Sequence, residues 1–253
     1  MTWNPDRYLQ FADERLRPAV DLLGRIPLDA PGQIVDLGCG AGNVTRLLAE
    51  RWPAAQLTGL DSSASMLERA RQALPGARFE LAGVEHWEPD EAIDLLFSNA
   101  ALHWVGDHQQ LFPRLLDNLA PGGVLAVQMP GNFDAPSHRL IRELAAAPAW
   151  AGRLAAARMG AILPMGDYHR LLAPRASRLS LWESIYWQAL HGPAPVLEWL
   201  RGTTLVPYLA MLDTRAQADF VAELAPRLAA AYPADADGTT LFPFRRVFIV
   251  AQR

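Results

Sequence analysis

The stretch that settles the fold is Ile34-Val35-Asp36-Leu37-Gly38-Cys39-Gly40-Ala41-Gly42, with Thr58-Gly59-Leu60-Asp61 downstream. An apolar strand runs into a glycine-rich turn, a helix follows, and a second apolar strand ends in an acid. An α/β domain holds a nucleoside in this way: the loop approaches it and the acid takes the ribose hydroxyls. The details select among nucleosides. A pyrophosphate-binding turn is spaced GxGxxG, its last glycine letting the helix pack close. Here the spacing is GxGxG, and Asp36 sits inside the first strand. No Lys-Ser/Thr pair follows the loop, so the phosphate grip of a P-loop is missing. The pattern asks for a ligand with an adenosine and no diphosphate.

Working outward, strands and helices alternate through residue 130. Residues 5–24 have helical spacing, with Tyr8, Phe11, Leu16, Val20 and Leu23 on one stripe. Strands are expected at 34–37, 56–60, 78–81, 93–98 and 124–129, with helices near 43–51, after Ser62 or Ser63, and at 107–119. Apolar runs such as Ile93–Phe97 suit buried strands, and the alternation implies a parallel sheet with right-handed crossovers. The second half differs. Residues 178–190 read as a long strand with Leu179, Leu181, Glu183, Ile185 and Trp187 on one side. A terminal strand covers 244–251, and helical segments over 194–231 are expected to break at Pro207 and Pro226. This gives one domain over 1–253: an N-terminal helix at 1–24 over the site, a ligand-binding core at 30–130, and helical insertions at 135–175 and 193–232. Insertions placed there would form a cap over the carboxyl ends of the strands, where ligands bind in such sheets.

Composition limits the partners. The chain has 253 residues, 51% hydrophobic and 20% charged, with a net charge of -4. All 23 basic residues are arginine, and no broad basic field exists, which argues against nucleic acid. A single cysteine, Cys39, excludes an internal disulfide and a cysteine metal cage. The start carries no basic segment followed by an apolar one, and no apolar run approaches membrane-spanning length. A reducing cytoplasm is the expected setting.

The residues now quoted resemble class I S-adenosylmethionine-dependent methyltransferases from about residue 30 to 130. Val35–Gly42 is similar to their first motif and Asp61 to the ribose-binding acid. Ser98–Trp104 resembles the segment after strand four, and Leu119-Ala120-Pro121-Gly122-Gly123 the turn into strand five. A closer resemblance, to trans-aconitate 2-methyltransferases, runs over nearly the whole chain. It is carried by Trp3-Asn4-Pro5, Tyr8-Leu9-Gln10-Phe11, Arg15-Leu16-Arg17-Pro18, Asn99–Trp104, Ala126–Pro130 and Phe248–Ala251. It implies a Rossmann-like, mostly parallel seven-stranded sheet with helices on both faces. It also implies methyl ester formation on a small polycarboxylate, with S-adenosylhomocysteine released.

The resemblance and the residues together give the site. The cofactor side comprises Tyr8, Arg15, Asp36, Gly38, Cys39, Gly40, Asp61, Ser62, Met66, Gly83, Val84, Asn99, Ala100 and Trp104. The family's strand-three segment carries an Asp for the adenine amine, and here Gly83 stands in its place. Weaker cofactor binding follows, with Val84 backbone left to meet the ring. On the acceptor side stand His103, Tyr186, Trp199 and Arg246; Arg17, Arg201, Trp187 and Tyr168-His169 are weaker candidates. A carboxylate is already ionised at neutral pH, so no residue is needed as an acid–base catalyst. Rate would come from holding the carboxylate oxygen in line with the methyl group and excluding water. No His/Asp/Glu spacing suggests a metal. A dinucleotide oxidoreductase would want GxGxxG spacing and a Tyr-x-x-x-Lys pair. A different small-molecule acceptor, or a cofactor-binding protein without catalysis, are the remaining alternatives.

Overall fold

A computed structural model describes residues 16–253 of the chain. The expected N-terminal helix is seen only in its last part, α1 (Arg17–Leu23), entered through Pro18 and buried along Ala19, Val20, Leu22 and Leu23. Tyr8 and Arg15 lie outside the described residues. The chain packs as two units. The first holds the described residues to Met129, Ile162–Glu183 and Arg246–Arg253; the second holds Pro130–Ala161 and Ser184–Arg245.

Seven strands form one sheet in the order β3-β2-β1-β4-β5-β7-β6. They are β1 (Gln33–Leu37), β2 (Gln56–Asp61), β3 (Arg78–Leu81), β4 (Ile93–Asn99), β5 (Leu119–Pro130), β6 (Arg178–Leu190) and β7 (Thr240–Gln252). The first five pair in parallel, β1 with both β2 and β4. β7 enters in the opposite sense. Arg253 N–H donates to Gly123 at one end, and Gly131 N–H donates to Arg245 at the other. Strand order reverses at β1/β4, and open α/β sheets bind ligands above the carboxyl ends at that point. Asp94, at the opposite end of β4, fixes the register by accepting the Gly32 and Gln33 N–H groups at 2.7 and 2.9 Å.

Successive strand residues point to opposite faces, and each face is covered. On one, Leu37, Leu96, Val127, Val247 and Ile249 pack with Leu111, Phe112, Leu115 and Leu116 of α4 (His108–Asp117). On the other, Phe79 packs with Cys39 and with Leu67 and Ala70 of α3 (Ala64–Ala73). Burying a side chain such as Phe112 stabilises by about 1.5–3 kcal/mol. The helix α7 (Met165–Leu172) adds Tyr168 and Leu172 to the larger cluster. Between the β1 loop and Trp52 lies α2 (Asn43–Arg51). In the second unit, α5 (Pro136–Ala145), α6 (Ala151–Leu154), α8 (Pro195–Arg201), α9 (Val206–Leu209) and α10 (Thr214–Ala231) follow in order. Trp150 meets Phe220 of α10 edge-on at 5.1 Å. No helix among the described residues is long and apolar enough to cross a membrane.

The structure corrects or refines the sequence expectation at four places. Strand five begins at Leu119, because Leu119 pairs with Ile93 across an irregularity and Gly122 takes φ 81° to carry the chain through it. Pro226 does not break its helix: α10 is continuous, with Phe220, Leu224 and Leu228 buried on either side of the proline. Pro207 lies in the first turn of α9, where no intrahelical N–H is required. The stripe read on one side of β6 lies on one strand as expected, but burial does not stay with it. Leu179 and Leu181 join the first unit's core, but in the second unit Tyr186 and Gln188 are buried while Ile185 and Trp187 are exposed. The strand crosses from one unit to the other at Glu183, and each unit buries its own side of it.

Candidate functional site

The GxGxG loop lies at the end of β1, and three of its residues need left-handed backbone. Gly38, Gly40 and Gly42 have φ of 76°, 55° and 83°. A Cβ at Gly38 would also overlap the Ala101 methyl, so the loops after β1 and β4 touch there. Gly38 and Cys39 N–H groups donate to the Leu60 carbonyl, and Gly40 N–H donates to Asp61 Oδ2 at 2.9 Å. Asp61 Oδ1 accepts the Ser63 N–H at 2.8 Å. Each carboxylate oxygen therefore keeps a lone pair for a hydroxyl, as a ribose requires. The cap of α3 is Ser63, whose hydroxyl accepts the Met66 N–H; Ser62 is exposed beside Asp61. Met66 on α3 and Leu81 at the end of β3 are 41% and 58% exposed, leaving apolar surface on both sides of this acid.

Asp36 is buried in β1 and accepts the Thr45 hydroxyl at 2.7 Å. Burial pushes its pKa up to about 7; the Thr45 bond opposes this and the Asp61 charge adds to it. Cys39 packs against Phe79 and Ala70, and burial together with Asp36 and Asp61 pushes its thiol up to about 12. That thiol is packing, and the Cys39 backbone is itself engaged, its N–H by the Leu60 carbonyl and its carbonyl by the Gly42 N–H.

The loop after β3 carries Gly83 and Val84. The Val84 side chain is in the core, and its carbonyl accepts Arg114 Nη2 at 2.7 Å. Arg114 also holds the Glu85 and Trp87 carbonyls, so this α4 arginine fixes the loop's shape. Nothing in the sequence distinguished it from a surface charge. At Gly83 an added Cβ would stand 2.6 Å from Glu85 Oε2. The Glu85 carboxylate therefore occupies the space beside position 83.

After β4, Ala100 has φ 55°, a strained value for alanine, held by its N–H bond to the Gln128 carbonyl at 2.9 Å. Asn99 lies level with Gln128 on β5. Asn99 Oδ1 and both amide atoms of Gln128 are buried and have no hydrogen-bond partner among the described residues. His103 is buried and its ring lies 4.8 Å from that of Trp104, which is 53% exposed. Arg246 is half-buried on β7 of the same unit.

The other acceptor-side residues sort differently. Tyr186 and Trp199 belong to the second unit, where Trp199 meets Phe244 and Phe242 at 6.0 and 6.4 Å. Tyr168 is a core residue: its hydroxyl bonds His108 Nδ1 at 2.6 Å and accepts the Leu163 N–H. Arg201 pairs with Glu198 at 3.1 Å on an exposed surface, Arg17 is exposed, and so is Trp187. Among the described residues no group of three His, Cys, Asp or Glu side chains could hold a metal.

The fit to S-adenosylmethionine rests on these observations. Gly40 of the loop has open space where a Cβ would stand, Asp61 has hydroxyl-accepting capacity, and the buried Asn99 oxygen lacks a donor among the described residues. A methyltransferase domain family matches residues 34–123. A trans-aconitate 2-methyltransferase of Variovorax paradoxus is 49% identical, covering 100% of this chain and 99% of the relative. One of Azoarcus sp. is 51% identical, covering 100% and 99%. A crystal structure of an S-adenosylmethionine-dependent methyltransferase from Mesorhizobium loti aligns with TM-score 0.55 and 23% identity, covering 97% of this chain and 100% of that one. That last likeness is one of fold.

Proposed function

Because the chain belongs to the trans-aconitate 2-methyltransferase family, we propose that it converts trans-aconitate, or a closely similar small polycarboxylate, into its monomethyl ester. The chain is an S-adenosylmethionine-dependent methyltransferase, and the cofactor supplies a methyl group made electrophilic by its sulfonium. The carboxylate oxygen forms the new bond to carbon and S-adenosylhomocysteine leaves, with no proton to remove. What the protein contributes is placement. Gly38, Cys39 and Gly40 backbone, Asp36 and Asn99 take the amino-acid end, and Asp61 with Ser62 takes the ribose. Met66, Gly83 and Val84 border the adenine, and Ala100 with Trp104 closes the methyl side. The exposed Trp104 face attracts a sulfonium by cation–π interaction. His103 and Arg246 serve the acceptor carboxylates. No side chain acts as general acid or base, and rate comes from alignment and water exclusion. A reducing, cytoplasmic setting fits the lone thiol.

The observation that carries this reading is full-length identity near one half to relatives of that name, joined to a site whose acids, glycines and orphaned amide match the cofactor. The test is turnover of labelled S-adenosylmethionine against cis- and trans-aconitate, citrate and isocitrate. Selective ester formation on trans-aconitate is expected. Cofactor binding without ester on any of the four acids would sink the acceptor assignment and leave the cofactor assignment standing.

A further inference from the structure

Gln128 is the one polar residue in the run Val124–Met129, and its side chain is fully buried. Leu125, Val127 and Met129 enter the core cluster with Val247 and Ile249. Alternation therefore turns Gln128 to the opposite face of the sheet, the face that also carries Asn99 and Arg246. There both its Oε1 and its Nε2 lack partners among the described residues, as does the neighbouring Asn99 Oδ1. Leaving a buried amide unpaired destabilises the fold. Glycine-loop strain apart, nothing in the packing of β5 requires a polar residue here; methionine would fill the same volume.

The complement of this arrangement can be stated. Two acceptor oxygens carried at level positions of neighbouring strands, Asn99 Oδ1 and Gln128 Oε1, suit one ammonium group. The remaining donor, Gln128 Nε2, suits an anion. The cofactor's amino-acid end carries the ammonium, and the methyl acceptor carries the anion. We propose that Gln128 bridges the two ligands: its oxygen shares the cofactor ammonium with Asn99, and its N–H donors seat the acceptor carboxylate. Gln128 is thus a specificity-determining residue for acidic acceptors, and Arg246 on the same face takes a further carboxylate. This inference rests on the trans-aconitate reading above.

The substitution Gln128→Glu separates the two halves of the claim. It keeps an acceptor toward the ammonium but removes the donor and adds a charge that repels a carboxylate. S-adenosylhomocysteine binding by calorimetry is expected unchanged or tighter. The KM for trans-aconitate, and its Kd in the presence of S-adenosylhomocysteine, should rise at least tenfold. Gln128→Met removes both ligands' contacts and the orphaned amide. It should raise the melting temperature of the ligand-free protein while weakening both ligands. A structural role would instead lower stability in Gln128→Met and weaken both ligands alike in Gln128→Glu. Acceptor KM and Kd within twofold of wild type in Gln128→Glu would overturn the proposal. Wild-type protein that forms no ester from trans-aconitate would overturn the acceptor reading instead, so the two failures are told apart.

Discussion

Each unit buries a titratable side chain, Asp36 in the first and His138 in the second, and the two are finished differently. His138 has a hydroxyl at each ring nitrogen, Ser137 Oγ at 3.1 Å and Thr204 Oγ1 at 3.2 Å. Burial, with Arg142 nearby, pushes its pKa down to about 4, so the ring is neutral and satisfied at pH 7. Asp36 has one hydroxyl donor, from Thr45, and a pKa pushed up to about 7. A neutral ring with both nitrogens bonded costs the fold little. A half-ionised carboxyl without a cation costs it much more. The first is finished architecture, and the second is a buried carboxyl whose ionised form has only one hydroxyl donor.

The strongest way to break this contrast is at the end of β2. Asp61→Ala should weaken S-adenosylhomocysteine binding by at least about 100-fold, since a carboxylate accepting two hydroxyls is worth about 1.5–3 kcal/mol per bond. His138→Gln should change it less than twofold by the same calorimetry. Equal losses in both variants would erase the distinction.

Asp36→Asn comes next and sharpens it, because its two effects have opposite signs. The folded pKa lies above the ordinary 3.8, so the unfolded chain holds fewer protons between about pH 4 and 7. Stability from this group therefore falls as pH rises through that window, by on the order of 4 kcal/mol in full. Asparagine keeps the Thr45 bond and removes that cost, so the melting temperature above pH 7 should rise. Cofactor affinity should drop about tenfold and lose its increase with pH near 7.

His138 gives the mirror image. Its folded pKa lies below the ordinary 6.5, so stability from this group is complete above pH 6.5 and is lost as pH falls toward 4. Denaturant melts of His138→Gln should show that acid slope flattened, with the alkaline side unchanged. The smallest effect is expected at Gly83→Asp. The new carboxylate would displace the flexible Glu85 side chain and offer the adenine amine an acceptor, tightening cofactor binding a few-fold. Looser binding would show that Glu85 already fills the role.

The parts of the fold legible in the sequence were those where one residue type is forced. Three positive-φ glycines, an acid ending β2 and buried parallel strands leave few alternatives. Strand ends were less legible: the start of β5 depends on Leu119 meeting Ile93, a contact the local pattern does not contain. The β6 stripe did not tell which of its residues are buried, because burial changes sides along the strand. Tyr168 looked like a pocket aromatic, yet its hydroxyl is spent on His108 and Leu163. Gln128 carried a signal, a lone amide in an apolar run, whose meaning needed the unpaired atoms to be seen. Arg114 carried none, since carbonyl clamps leave no spacing in sequence.

The near-collision of Gly38 with Ala101 has a consequence for how such a chain can diverge. Two distant positions share the room of a single methyl group. Trimming Ala101→Gly would make space, but Gly38→Ala would still face φ 76°, a cost of roughly 1–2 kcal/mol. The epistasis is therefore one-sided. Position 101 can drift to glycine alone, whereas position 38 has no permissive background, and lineages sharing this loop should retain glycine there long after its neighbour has changed.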